Sequence, residues 1–302
     1  MRSFLLKSIA FLVFLGGVNF CIHFAFLAIL HQNSIVQKKE TEFFNEAENH
    51  IDILFLGDSH VNSVQEHLIP TALKFDSFGE SYIQSYYKLK YLIADMDITI
   101  DNLILPFDLH SFSSFRSDRI INDIYWSKYV NYFELAEIKK NRKYIIKWTI
   151  ANFCAYVGKG DEILEYLQKV RGFPSLRKKQ NENVSSRISY HLKNRDTIDQ
   201  DILFYFKKIL HLCSENNINI VFVKYPVSKQ YLVNSSHYIN KKQYYNFLIS
   251  VIEDFSLLSY AIWDFQDLYI DFPEIFIDSD HLNSRGSTEF TKILATKIED
   301  SL

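Results

Sequence analysis

Residues 8–30 run SIAFLVFLGGVNFCIHFAFLAIL and carry no side chain that is formally charged at neutral pH. About 23 residues at 1.5 Å each make a helix of roughly 34 Å, enough to cross the hydrocarbon layer of a membrane. Arg2 and Lys7 precede the run, and His31, Gln32 and Asn33 come after it. Positive charge close to the first end predicts that this end stays in the cytoplasm and that the rest of the chain lies beyond the membrane. Lys38 and Lys39 work against that orientation from further away. Two other readings stay open. The run is long for a cleaved signal peptide and shows no clear A-x-A site, and Val18, Asn19 and Phe20 before Cys21 lack the small side chains of a lipoprotein cleavage site. A buried helix of a globular domain is rarely apolar on all faces. The expectation is an uncleaved single-pass anchor over residues 1–31 in the cytoplasmic (inner) membrane, with the following domain extracytoplasmic. His23 inside the run reads as a tolerated neutral side chain.

The chain beyond the anchor is long enough for one large domain with a full core. The 302 residues are 48% apolar, with 8 Gly and 5 Pro, which excludes a disordered or linker-dominated chain. A net charge of -3 excludes the basic footprint of a nucleic-acid binder, and the run Arg177-Lys178-Lys179 reads as solvated surface. Cys21, Cys154 and Cys213 show no C-x-x-C spacing, so no metal is expected through zinc-type ligation. Cys154 and Cys213 read as separate buried thiols, with a single disulfide as the alternative.

Residues 32–49 are polar and charge-rich and predict a short helical stalk. Apolar runs at 51–56, 102–105, 218–224 and 261–265 then predict strands, and helix-like spacing predicts helices over 84–94, 199–215, 241–255 and 287–298. Strands alternating with helices argue for an α/β fold, a parallel sheet covered on both faces. Residues 112–195 lack this alternation and read as a helical insertion or lid. The aromatics Tyr125, Trp126, Tyr129, Tyr132 and Phe133 lie in it, suited to packing on the main domain or to stacking on sugars.

Two phrases carry chemistry. Phe55-Leu56-Gly57-Asp58-Ser59-His60 closes the first predicted strand. A serine there sits at the carboxyl edge of the sheet, where such folds place ligands, and Gly57 permits the tight turn that exposes its hydroxyl. Gly-Asp-Ser is also an ordinary turn, with the serine capping the next helix. Near the other end stands Phe276-Ile277-Asp278-Ser279-Asp280-His281-Leu282-Asn283, then Gly286. A neutral histidine can take a proton from a serine hydroxyl, and a carboxylate three residues away can hold its ring. An acidic surface loop is the plain alternative. Asp280 is a competing orienter, and Asp278, Asp280 and His281 together offer metal-type ligands without a second histidine cluster.

Taken together, the Gly-Asp-Ser and the Asp-x-x-His resemble the SGNH/GDSL hydrolase superfamily over roughly residues 50 to 300. The resemblance implies a doubly wound parallel sheet in flavodoxin-like order, with Ser59 as nucleophile, His281 as general base and Asp278 as its partner. It implies an oxyanion hole from the backbone N–H groups of Ser59 and Gly79. The family's third donor is an Asn, where this chain has Leu105-Pro106-Phe107-Asp108-Leu109-His110, so the asparagine is missing and His110 is an auxiliary candidate. A domain of this type behind an anchor resembles envelope O-acetyltransferases that modify alginate or peptidoglycan. The implied activity is acyl transfer to a cell-envelope or extracellular polysaccharide without a cofactor, with a membrane-embedded partner delivering the acyl group. The alternatives are a carbohydrate esterase or deacetylase, and a non-catalytic binding or assembly protein on the same scaffold.

Overall fold

The computed structural model describes residues 2–31, 35–117, 128–138, 142–157, 159, 160, 163, 166, 184–192 and 198–302. The chain divides into two compact units, Met1–Thr41 with Ile121–Gln180, and Glu42–Ile120 with Asn181–Leu302.

The second unit is α/β. Its strands are β1 (His50–Phe55), β2 (Ala72–Lys74), β3 (Thr99–Pro106), β4 (Asn219–Lys224) and β5 (Tyr260–Asp264). They form one parallel sheet in the order β2-β1-β3-β4-β5. Both faces are covered, so the central strands are continuous apolar runs: Ile53 to Leu56, Leu103 to Leu105 and Ile220 to Val223 are all buried. Alternation sorts the two faces. Ile53, Phe55, Ile104, Val221 and Val223 pack with Phe290, Leu294 and Ile298 of the last helix, Ser284–Ser301. Phe222 points the other way, onto Phe206 of helix Gln200–Glu215, with ring centroids 5.7 Å apart. That helix starts where Asp199 accepts hydrogen bonds from the N–H groups of Asp201 and Ile202 (3.0 and 3.1 Å). On the same face Tyr82 of helix Tyr82–Lys90 packs on Phe206 at 4.9 Å.

The expected strands agree with β1, β3, β4 and β5 to within three residues at each end. β2, only three residues long, had no sequence signal of its own. The expected stalk is helical over Ile35–Glu46, but it is packed, not a bare spacer. In the first unit Glu40 is buried against the Tyr129 hydroxyl and Lys128 Nζ. In the second, Phe43 is buried and stacks on Phe75 at 4.3 Å.

The first unit holds the N-terminal helix Arg2–Phe26, continued by a wider turn over Leu27–His31. The stretch Ser3–Ile29 is long and apolar enough to cross a membrane. The unit also contains helices Tyr132–Ile138 and Arg142–Phe153. Of the aromatics expected to pack or stack, Tyr129 is buried, and Tyr132 and Phe133 are exposed. Tyr125 and Trp126 lie outside the described residues, as do positions 32–34 and the basic run 177–179. All three cysteines are free thiols.

Gly57 follows β1 with φ +139°, and a Cβ there would come within 2.6 Å of Pro106 Cδ. Only glycine fits both the left-handed backbone and the close approach of the β3 proline. Gly57→Ala is expected to cost about 2–4 kcal/mol, roughly 5–15 °C in Tm, from strain and overpacking together. Thermal unfolding followed by circular dichroism checks this; an unchanged Tm would show that the turn relaxes freely.

Candidate active site

From β1 the chain passes to β2 on one side of the sheet, and β3 then lies on the other side of β1. Strand order therefore reverses between β1 and β3, and the crevice beyond their carboxyl ends is the natural ligand site of such a sheet. Ser59 lies in the turn that leaves β1. Its neighbours hold the turn: the Asp58 carboxylate accepts the His60 N–H at 2.9 Å, and the Asp58 carbonyl accepts the Asn62 N–H at 3.3 Å.

The loop at 276–283 folds on itself. Phe276 and Leu282 form an isolated antiparallel bridge, and the Ile277 N–H donates to the His281 carbonyl at 2.8 Å. Asp278 Oδ1 accepts the N–H groups of Asp280 (3.1 Å) and His281 (2.9 Å). These local bonds set the ring: His281 Nδ1 lies 3.0 Å from both Asp278 oxygens, and Nε2 lies 2.8 Å from Ser59 Oγ. The Asp278 carboxyl is held below its ordinary range. Burial would raise it, but the His281 hydrogen bond, the imidazole's charge and the Asp280 N–H outweigh burial and the nearby Asp280 charge. An ionised Asp278, with both oxygens 3.0 Å from Nδ1, favours the neutral ring's proton there against the Arg187 Nη2 donor 2.8 Å from the same atom, which leaves the Nε2 lone pair facing the serine hydroxyl.

Beneath this surface row lies a buried charged layer, of which the sequence singled out only His110 and Asp280. His60 Nδ1 donates to Asp108 Oδ2 at 2.8 Å, and its Nε2 lies 3.5 Å from Asp280, a charge pairing too long for a hydrogen bond. Asp108 Oδ1 also accepts the Tyr225 N–H at 3.0 Å. Burial would push His60 down, but Asp108, Asp280 and Asp58 raise its pKa to about 10, so it is an imidazolium. Asp58 pairs with Arg116 and accepts from His110 Nε2 at 3.2 Å. Burial would raise Asp58, yet Arg116, His110 and His60 hold it well below the carboxylate range. Burial, with the charges of Arg116 and His60, lowers His110, which is neutral despite its bond to Asp58.

Asp280 points inward. Arg187 Nε pairs with it, while Arg187 Nη1 lies 3.5 Å from Asp278 and Nη2 lies 2.8 Å from His281 Nδ1. One guanidinium thus bridges both aspartates of the loop. His191 lies 3.8 Å from Asp280 and is held neutral, first by burial, with the charges of Arg116 and Arg187 acting in the same direction, and its Nδ1 accepts the Tyr231 hydroxyl at 3.0 Å.

A cleft of about 570 Å³ opens over Ser59, Asp278 and His281, and Gly79, Arg116 and Arg187 also line it. Gly79 has φ +71°, and among the described residues neither its backbone N–H nor that of Ser59 has a partner. His110 is not at the cleft: it is buried behind Asp58, and the place of the expected third donor is taken by Asp108, turned inward to His60. The helix Val184–His191 supplies Arg187, Tyr190 and His191 to the cleft wall, so the 112–195 segment does contribute there. Nothing in its sequence distinguished Arg187; His60 adjoins Ser59 and was the one signal within reach.

Metal ligation fits this chemistry poorly. Asp58, His60 and His110 converge, as do His60, Asp280 and His281. His60 is common to both groups and, protonated, offers no lone pair; Arg116 and Arg187 already neutralise Asp58 and Asp280.

The buried imidazolium has a pH signature. His60 keeps its proton in the folded chain to about pH 10, against an ordinary value of 6.5. Its contribution to stability is complete below that ordinary value and is lost as pH rises through the folded one. Urea unfolding of the wild type is expected to show falling stability across this alkaline window, and His60→Gln a flatter profile at lower overall stability. Parallel profiles would refute a charged His60.

Comparison of the chain with protein-family models and with curated proteins finds no match in either.

Proposed function

We propose that this chain is a membrane-anchored serine acyltransferase of the SGNH/GDSL type, which moves an acyl group, such as O-acetyl, onto a hydroxyl of a cell-envelope or extracellular polysaccharide. The observation that carries the reading is the unbroken path from Ser59 Oγ to His281 Nε2 (2.8 Å) and from His281 Nδ1 to Asp278 (3.0 Å) at the sheet's switch point. The order β2-β1-β3-β4-β5 supports it, since it is that of flavodoxin-like doubly wound sheets.

Ser59 Oγ attacks the acyl carbonyl as His281 Nε2 takes the hydroxyl proton. The oxyanion is received by the N–H groups of Ser59 and Gly79; the family's asparagine is missing from residues 105–110, and losing one such donor lowers the rate by about 100- to 1000-fold without abolishing it. His281 returns the proton to the leaving group, whose bond to the acyl carbon breaks, and an acyl-Ser59 ester remains. His281 then deprotonates the acceptor hydroxyl, whose oxygen attacks the acyl carbon; the bond from that carbon to Ser59 Oγ breaks, and His281 returns the proton to Ser59. Asp278 stays ionised throughout and stabilises the imidazolium. Phe78 and Ile277 are exposed apolar side chains of the cleft lining, suited to a sugar face or an acyl chain. The Ser3–Ile29 helix anchors the chain in the cytoplasmic membrane, with the catalytic unit on the outer side and the acyl group delivered by a membrane-embedded partner.

The test supplies an activated acetyl ester and an oligosaccharide acceptor to wild type and Ser59→Ala. The expected result is acetylated glycan accumulating faster than free acetate, dependent on Ser59. Free acetate alone would favour the esterase reading. No turnover, with no labelling of Ser59 by a fluorophosphonate, would favour a non-catalytic scaffold.

A further inference from the structure

Within the first unit, the N-terminal apolar helix carries two polar residues on one side, Asn19 and His23, four apart. Both are bound to the end of helix Arg142–Phe153 and the turn after it. Asn19 Nδ2 donates to the Phe153 carbonyl at 3.0 Å, and Asn19 Oδ1 accepts the Tyr156 hydroxyl at 2.7 Å. His23 Nδ1 accepts the Ala155 N–H at 3.1 Å, and the Cys154 thiol lies 3.3 Å from Asn19 Oδ1.

The depth of this lock follows from helix geometry. In the span Ser3–Ile29 the middle residue is Gly16, and at 1.5 Å per residue Asn19 and His23 lie about 5 and 10 Å from it. A hydrocarbon layer about 30 Å thick contains both levels. Backbone groups at a helix end are tolerated there only when protein satisfies them. Asn19 and His23 do this for the Phe153 carbonyl and the Ala155 N–H, and Asn19 Oδ1 is satisfied in return by the Tyr156 hydroxyl.

One face of the short helix fits the same surroundings, although its sequence also carries Arg142, Lys143 and Lys147, whose charges require the headgroup level. Ile146, Ile150 and Phe153 share one face, and Val157 follows in the turn; all four are exposed. Trp148 is tied elsewhere, its Nε1–H donating to the Val130 carbonyl at 3.1 Å. Phe11, Val18, Phe20 and Ile22 of the long helix are exposed apolar side chains as well. Twelve residues reach only about 18 Å, too short to cross but suited to entering and leaving on one side.

We propose that residues 142–157 form a re-entrant element buried in the lipid beside the membrane-spanning helix, with Ile146, Ile150, Phe153 and Val157 against the acyl chains. The proposal rests on the anchoring part of the proposed function and is independent of its chemistry. The test places p-benzoylphenylalanine at Ile150 or Phe153 of the full chain, reconstituted in vesicles of phosphatidylethanolamine and phosphatidylglycerol. Phe14, exposed in the long helix, is the positive control, and Phe272, exposed in the sheet-containing unit, the negative one. After irradiation, mass spectrometry is expected to find lipid adducts at Ile150 and Phe153 in yields comparable to Phe14, and none at Phe272. Crosslinks to a second copy or another protein in place of lipid, or no adduct while Phe14 gives one, would overturn the proposal. A Phe14 position without lipid adduct would overturn the anchor itself, and this inference with it.

Discussion

His281→Ala is expected to lower kcat for acyl transfer by about 10⁵- to 10⁶-fold with little change in KM. The Ser59 hydroxyl is a weak nucleophile at its own pKa, and His281 Nε2, 2.8 Å away, is the group placed to take its proton. The ring is only partly buried, and Asp278 keeps its two backbone N–H donors when the ring is lost, so the loop is expected to survive. Single-turnover kinetics with an activated ester measure the loss, and circular dichroism verifies the fold. Ser59→Ala should match the defect, and the double variant should be no worse than either single, because the two groups act as one unit. A multiplicative double variant would mean that they act separately, and that the short contact between them is incidental to catalysis.

Asp278→Asn is expected to lower kcat by about 10³- to 10⁴-fold while conserving shape. The carboxylate is what selects the Nδ1–H form of His281. An amide in its place can donate to Nδ1, and Arg187 Nη2, 2.8 Å from the same nitrogen, adds a second donor. Both stabilise the opposite tautomer, with a proton on Nε2 facing Ser59 and no lone pair to receive another. Wild-type pH–rate profiles give a second check: the Asp278 carboxyl is held below its ordinary 3.8, so it is ionised above that value and adds no ascending limb near neutrality. An Asp278→Asn enzyme within tenfold of wild type would mean that something other than the carboxylate orients the ring.

The serine, histidine and aspartate were legible in the sequence because each sits in a short local phrase, and local hydrogen bonds build much of the geometry. Asp278 reaches the His281 N–H and ring within three residues. The strands were legible where burial on both faces made apolar runs. β2 escaped because Ala72–Lys74 is too short to show a pattern, and its place is set by pairing with Ile53 to Phe55. The layer of Asp58, His60, Asp108, Arg116 and Arg187 escaped for a different reason, and Asp280, which reads from the sequence as a competing orienter of His281, belongs to it instead. Each residue alone is a typical surface type, and burial becomes tolerable only when partners from distant segments converge. Asp58 meets Arg116 across 58 positions, and Asp108 meets His60 across 48. No one-dimensional pattern encodes that compensation.

Ser59 and His281 are separated by 222 positions, and the histidine lies directly before the final helix. A ribosome therefore completes the proposed nucleophile long before it makes the proposed base, and no product ending before position 281 holds both. On the proposed mechanism, the Ser59 hydroxyl stays dormant until the segment that carries His281 has emerged and settled against the sheet. A chain truncated ahead of position 281 is accordingly expected to be chemically inert, however well its earlier strands assemble.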